Sequence, residues 1–151
     1  LMYVLWLIRL SPGQALSVSH RLKLSAELNR IIQSGIKLWQ EMSALVDKKP
    51  SEITQRLEDV DPLAIIAMFF ASADEKIRDI LHNFVIRWRR ISPFTTGDDL
   101  RSRGIPPGPV YREILQKLRQ AWLDGDVDSR EEEMLLLDKL VGEMNLTGKI
   151  G

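Results

Sequence analysis

At 151 residues the chain is long enough for one domain or two small ones and can bury a real core. A hydrophobic share of 44% and a charged share of 28% are ordinary for a globular protein, and 21 basic residues cancel 21 acidic ones, so the chain as a whole carries no polyanion signature. The absence of cysteine excludes a disulfide framework and any thiolate zinc site, and fits a cytoplasmic location.

The opening LMYVLWLIRL is apolar but shorter than the roughly 20 residues that a membrane-spanning helix needs. It lacks the basic lead and small-residue cleavage site of a signal peptide, so no membrane partner is expected. The chain starts at Leu1 rather than Met, and two readings stand side by side. In one, this is a fragment of a longer chain whose first helix packs against material outside it. In the other, it is an ordinary N-terminal core helix.

Ser11-Pro12-Gly13-Gln14 reads as a capping box with proline at the first helical position. Ser25 caps a long helix through Leu28, Ile31, Ile32, Leu38, Trp39, Met42 and Leu45, in which Gly35 is a weak point of about 1 kcal/mol against alanine. Lys49-Pro50-Ser51 opens a short helix carrying Ile53 and Leu57. Asp61-Pro62 opens another, LAIIAMFFA, apolar nearly all round and expected at the centre of the core. Asp74 caps a helix with the stripe Ile77, Ile80, Leu81, Phe84, Val85 and Trp88, ended by Pro93.

Thr96 caps a short helix through Asp98, Asp99 and Leu100, with Gly104 suited to the left-handed position after it. Ile105-Pro106-Pro107-Gly108-Pro109 is a hinge, and Pro109 opens a helix with Val110, Ile114, Leu115, Leu118 and Trp122 inward, ended by Gly125. Ser129 and Glu132 form a capping box for the last helix, Met134 to about Met144. No alternating β pattern occurs. The expectation is an all-α, irregular bundle of about seven or eight helices with a helix-hairpin-helix-like turn in the C-terminal third. It divides into a body over 1–92 and a tail with the hinge over 93–151.

Charge is segregated along the chain. From Glu75 to Ala121 ten Lys and Arg face five acids, and from Trp122 to Gly151 eight acids face three bases. One face is therefore suited to a polyanion.

Catalytic chemistry is not found. His20 and His82 have no metal-ligand spacing, and there is no thiol nucleophile, Walker loop or Rossmann fingerprint. Asp98 and Asp99 point about 100° apart on a helix, which suits capping better than a shared magnesium ion. Asp124, Asp126 and Asp128 lack the later ligands of a calcium loop. Glu131-Glu132-Glu133 suits the positive end of a helix dipole, a structural role.

Binding is the better reading. Arg87, Arg89 and Arg90 flank Trp88 at a helix end, where cations also simply favour the dipole. Leu100 to Pro109 joins two helices through Gly-Ile-x-x-Gly and is similar to a helix-hairpin-helix. There Gly104 and Gly108 let the main chain approach a phosphate, and amides at the next helix start offer an anion site, thinned by three prolines. Arg101, Arg103, Arg112 and Lys117 supply charge, and Tyr111 stacks on a base or packs.

Several segments in order resemble the C-terminal body and tail of bacterial tRNA nucleotidyltransferases and poly(A) polymerases. They are Arg21-Leu22-Lys23-Leu24, Lys49-Pro50-Ser51-Glu52-Ile53, the Arg87-Trp88-Arg89 neighbourhood, Thr96-Gly97-Asp98-Asp99-Leu100, Gly104 to Pro109, Ile114-Leu115 with Leu118-Arg119, Leu123-Asp124-Gly125 and Arg130-Glu131-Glu132-Glu133. The resemblance implies a parent enzyme that uses ATP or CTP and Mg2+ in an N-terminal catalytic head whose motifs are absent here. This fragment then holds no cofactor. It is expected to be a non-catalytic RNA-binding part that positions tRNA or other RNA through backbone contacts, partnered by the missing N-terminal catalytic domains of the same chain. The alternative is a helical interaction module that docks those domains or makes a homodimer, favoured by the apolar first helix and Trp39. DNA binding by the hairpin is a third reading, and an independent enzyme is the least supported.

Overall fold

The computed structural model describes residues 2–146, with side chains through Met144. The described residues form nine α-helices and one 3-10 turn: α1 Met2–Leu7, α2 Pro12–Arg21, α3 Ala26–Leu45, α4 Pro50–Glu58, α5 Pro62–Ala71, α6 Glu75–Ile86, the turn Trp88–Arg90, α7 Gly97–Ser102, α8 Pro109–Asp124 and α9 Arg130–Leu146. There is no strand among them, so the fold is all-α. The nine correspond to the helices expected in chain order, one or two more than the overall estimate of seven or eight.

The helix starts follow local chemistry. Ser11 and Gln14 close a capping box at α2, Ser25 accepts from the Leu28 amide at α3, and Asp61 and Asp74 accept from the amides two residues on at α5 and α6. Each such cap contributes about 1 kcal/mol over alanine. At α9 the box is open on one side. Ser129 accepts from the Glu132 amide at 3.3 Å, and the Glu132 carboxylate accepts from the Asp128 amide at 3.0 Å.

The chain divides into two compact units, Leu1–Arg89 and Arg90–Gly151. In the first, α3 is the spine against which α1, α2 and α5 pack, and α6 packs on α5. Its core includes Leu7, Ile8, Ile32, Ile36, Leu38, Met42, Leu57 and Met68. At Gly35 the spine is closely approached by Ile8. A Cβ there would lie 2.9 Å from Ile8 Cδ1 and 3.6 Å from the Ala64 Cβ. The glycine that looked like a weak point is the notch that seats Ile8. Gly35→Leu is therefore expected to lower stability by about 1–3 kcal/mol through overpacking, read as a lower urea midpoint at unchanged slope.

Helix α5 departs from expectation. Its small face, Ala64, Ala67 and Ala71, is buried with Ile65 and Met68, while Leu63, Ile66 and Phe70 are exposed. Helices α1, α3 and α6 pack on α5, and its large side chains are left outward. Helix α6 also stops early, at Ile86, and the chain turns through the 3-10 segment, so half-buried Trp88 reaches the core from a turn rather than from the helical stripe. Trp39 is half-buried and carries the Arg9 guanidinium 5.4 Å above its ring. Arg9 also donates to the Ala71 carbonyl, so the outer face of Trp39 is covered.

The second unit is built on Leu100, Ile105, Ile114, Leu118, Leu137, Leu140 and Met144, supplied by α7, the segment after it, α8 and α9. Gly125 ends α8 in the left-handed conformation, φ 75°.

Candidate nucleic-acid interface

Thr96 opens α7 with a full capping box: its hydroxyl accepts from the Asp99 amide, and Asp99 Oδ2 accepts from the Thr96 amide at 2.7 Å. The Thr96 hydroxyl and then its amide hold the exposed Asp99 carboxyl below its ordinary value, with Arg130 and Arg103 adding to the effect. Asp99 is thus a helix cap, as expected from its spacing.

The close of α7 is a Schellman motif. Gly104 at φ 80° directs its amide to the Arg101 carbonyl at 2.9 Å, and the Ile105 amide reaches the Leu100 carbonyl at 3.3 Å. Leu100 and Ile105, the apolar pair of that motif, are 0% and 2% exposed. Space around Gly104 is open, so only the backbone objects to a side chain there. Gly104→Ala is expected to cost about 1–2 kcal/mol, measurable by thermal unfolding.

This geometry corrects one expectation. The amides of Gly104 and Ile105 are consumed by the motif, Pro106, Pro107 and Pro109 have none, and the Tyr111 amide reaches the Gly108 carbonyl at 3.1 Å. Only the Gly108 and Val110 amides remain near the start of α8, so a phosphate cradle of several main-chain donors is not formed at this connection. Gly108 has φ 168°, an extended backbone open to any residue, with nothing within 4 Å of a would-be Cβ. Tyr111 packs with the core of the unit, and its hydroxyl donates to the Ile105 carbonyl at 2.9 Å. Its ring lies against Gly97, so it packs rather than offering a face to a base.

The cations fall into two groups. Arg103 pairs with Asp138, bringing the end of α7 onto α9, and its other nitrogen lies 3.8 Å from Met134 Sδ. Lys117 pairs with Glu113 one turn before it at 3.4 Å. By contrast Arg90, Arg101 and Arg112 are exposed and make no ion pair within 4 Å among the described residues. Arg87 and Arg89 are likewise exposed, in the first unit, where Arg89 borders an apolar groove of about 250 Å³ with Ile65, Ile66 and Phe84. Arg112 and Lys117, five residues apart, point about 140° from each other around α8. The cations of the second unit therefore do not form one continuous ridge on that helix.

The group that sequence reasoning missed is Glu133, whose side chain is 1% exposed. Its Oε1 accepts from the Thr95 amide at 2.7 Å and the Thr95 hydroxyl at 2.5 Å, and its Oε2 accepts from the Phe94 amide at 2.9 Å and the Trp122 indole at 2.5 Å. Burial pushes this carboxyl up, but the bonds from Thr95, Phe94 and Trp122 outweigh it and hold it below its ordinary value. The signal was present in the phase: Glu133 lies four, seven and eleven residues before Leu137, Leu140 and Met144, on the buried stripe of α9. No three His, Cys, Asp or Glu side chains come together to hold a metal among the described residues. No described helix is long and apolar enough to cross a membrane.

Part of the chain is similar to a tRNA nucleotidyltransferase. Over 94 residues, 62% of its length, the chain is 33% identical to the A-adding tRNA nucleotidyltransferase of Geobacter sulfurreducens. The match spans 11% of that much longer protein. No protein-family model matches, and no solved structure matches.

Proposed function

We propose that this chain is a non-catalytic, C-terminal RNA-holding part of a tRNA nucleotidyltransferase or poly(A) polymerase-like enzyme. The observation that carries the reading is the likeness over 94 residues to a tRNA nucleotidyltransferase. The exposed arginines that make no ion pair among the described residues support it: Arg90, Arg101 and Arg112 on the second unit, with the exposed Arg87 and Arg89 on the first. They contact phosphates, and the helical units fix where the RNA lies relative to the catalytic head, Mg2+ and nucleotide supplied elsewhere in the parent. Arg103 and Lys117 act mainly within the protein. The deciding experiment compares a tRNA transcript with duplex DNA of equal charge at equal salt. Tighter binding of tRNA supports the reading, and equal affinity points to unspecific backbone binding instead.

A second reading has its own observation. Met2 and Trp6 on α1, and Leu63, Ile66 and Phe70 on α5, are apolar and exposed. They suit a docking face for another domain of the parent or a second copy. Size measurement across a hundredfold concentration range without RNA tests the second copy. Mass that rises with concentration favours it.

A further inference from the structure

We infer that the second unit carries a seat for one unpaired nucleobase, with Phe94 as its stacking platform; the inference deepens the RNA-holding reading and rests on it. Phe94 is a large apolar ring left 59% exposed on a segment that follows a proline. An exposed phenylalanine alone means little. This one is held unusually firmly. Its amide donates to the buried Glu133 carboxylate, and so do the amide and hydroxyl of Thr95 beside it. Its ring meets Trp122 edge to face, centroids 5.5 Å apart and planes at 65°, and that indole is tied to the same carboxylate. A ring whose neighbours and backbone are already fixed loses little freedom when a base stacks on it.

Beside the ring is a pocket of about 200 Å³, which Ser102, Arg130 and Met134 also border. That is below the roughly 300–1,000 Å³ of ordinary small-molecule sites, a size for a base rather than a whole nucleotide. Its polar edge offers both signs of hydrogen bond. Arg130 is exposed, makes no ion pair within 4 Å among the described residues, and brings only donors. Asp99 holds Thr96 through Oδ2 and has Oδ1 left as an acceptor. A donor and an acceptor side by side suit the edge of a base that itself presents an acceptor next to a donor, as the Watson–Crick edges of cytosine and uracil both do. Single-stranded RNA read by stacking plus edge contacts is the matching ligand class.

The test uses the whole chain and two unstructured probes of equal length and charge, oligo(rC) and an abasic ribose-phosphate oligomer. Phe94→Ala and Phe94→Leu are expected to weaken oligo(rC) binding about 5- to 150-fold, the stacking of one base, whereas Phe94→Tyr retains it. The abasic oligomer should bind more weakly than oligo(rC), and Arg130→Ala should narrow that gap. The Trp122 indole proton resonance reports that the Glu133 tie is intact in each variant and should shift on adding oligo(rC). Affinity unchanged in Phe94→Leu, or equal affinity for the two probes, overturns the inference. If tRNA still binds with strong salt dependence in that case, only the base seat fails. If no RNA binds even at low salt, the RNA-holding reading fails with it.

Discussion

Glu133→Gln is expected to lower the stability of the second unit by about 3 kcal/mol, far more than a surface substitution in the same acidic run. All four groups around the carboxylate are donors, two to each oxygen. A glutamine amide must turn its own donors toward one pair. Toward Oε2 it meets the Phe94 amide and the Trp122 indole, neither of which can accept. Toward Oε1 the Thr95 hydroxyl can rotate to accept, but the Thr95 amide is still left facing a donor. A buried donor without a partner costs about 1–3 kcal/mol, and hydrogen bonds to a charged group are worth about 1.5–3 kcal/mol each. Glu132→Gln is the control, since Glu132 is exposed and holds one amide, that of Asp128. Urea unfolding followed at the Trp122 indole resonance separates the two.

The same carboxylate gives the unit an acid dependence of known sign. Its folded value lies below the ordinary 4.5, so the folded state binds fewer protons than the unfolded state as pH falls through that range. The stabilisation from Glu133 is fully present above about pH 4.5 and is lost as pH falls through the folded value. Glutamine does not titrate. The difference in urea midpoint between wild type and Glu133→Gln should be largest near neutrality and shrink in acid. A difference that grows in acid contradicts the assignment.

The second large effect is on RNA binding. Arg101→Ala with Arg112→Ala removes two exposed cations of the second unit that make no ion pair among the described residues. Taking away one cation that neutralises a phosphate flattens the slope of log affinity against log salt by about 0.7–0.9, so the pair should flatten it by about 1.5. Folding should be unaffected. Arg103→Ala is a different experiment: it breaks the tie to Asp138 and loosens α7 from α9. A weaker tRNA complex in that variant therefore mixes stability with phosphate binding, and Arg101 with Arg112 is the cleaner pair.

What the sequence made legible was local. The caps at Ser11, Ser25, Asp74 and Thr96, and the left-handed glycines 104 and 125, are fixed by residues within a few positions, and each was readable in place. What stayed hidden joins distant parts of the chain. Arg103 meets Asp138 and Thr95 meets Glu133, separated by 35 and 38 residues, and no spacing rule couples them. Glu133 was further masked by two acidic neighbours that are exposed, so the run read as one solvated turn. Gly35 looked like a defect because its partner, Ile8, comes from outside its own helix. On α5 a uniformly apolar stretch carried no phase, and only the packing of its neighbours decides which side faces out.

The central claim is that this chain holds RNA through its phosphates, and affinity for a tRNA transcript measured from 50 to 200 mM salt tests it most directly. The account predicts a straight fall of log affinity with log salt, of slope about −0.7 to −0.9 for each phosphate neutralised, flattened in the Arg101 and Arg112 variant. An affinity that does not change with salt, or no measurable complex at 50 mM, contradicts it.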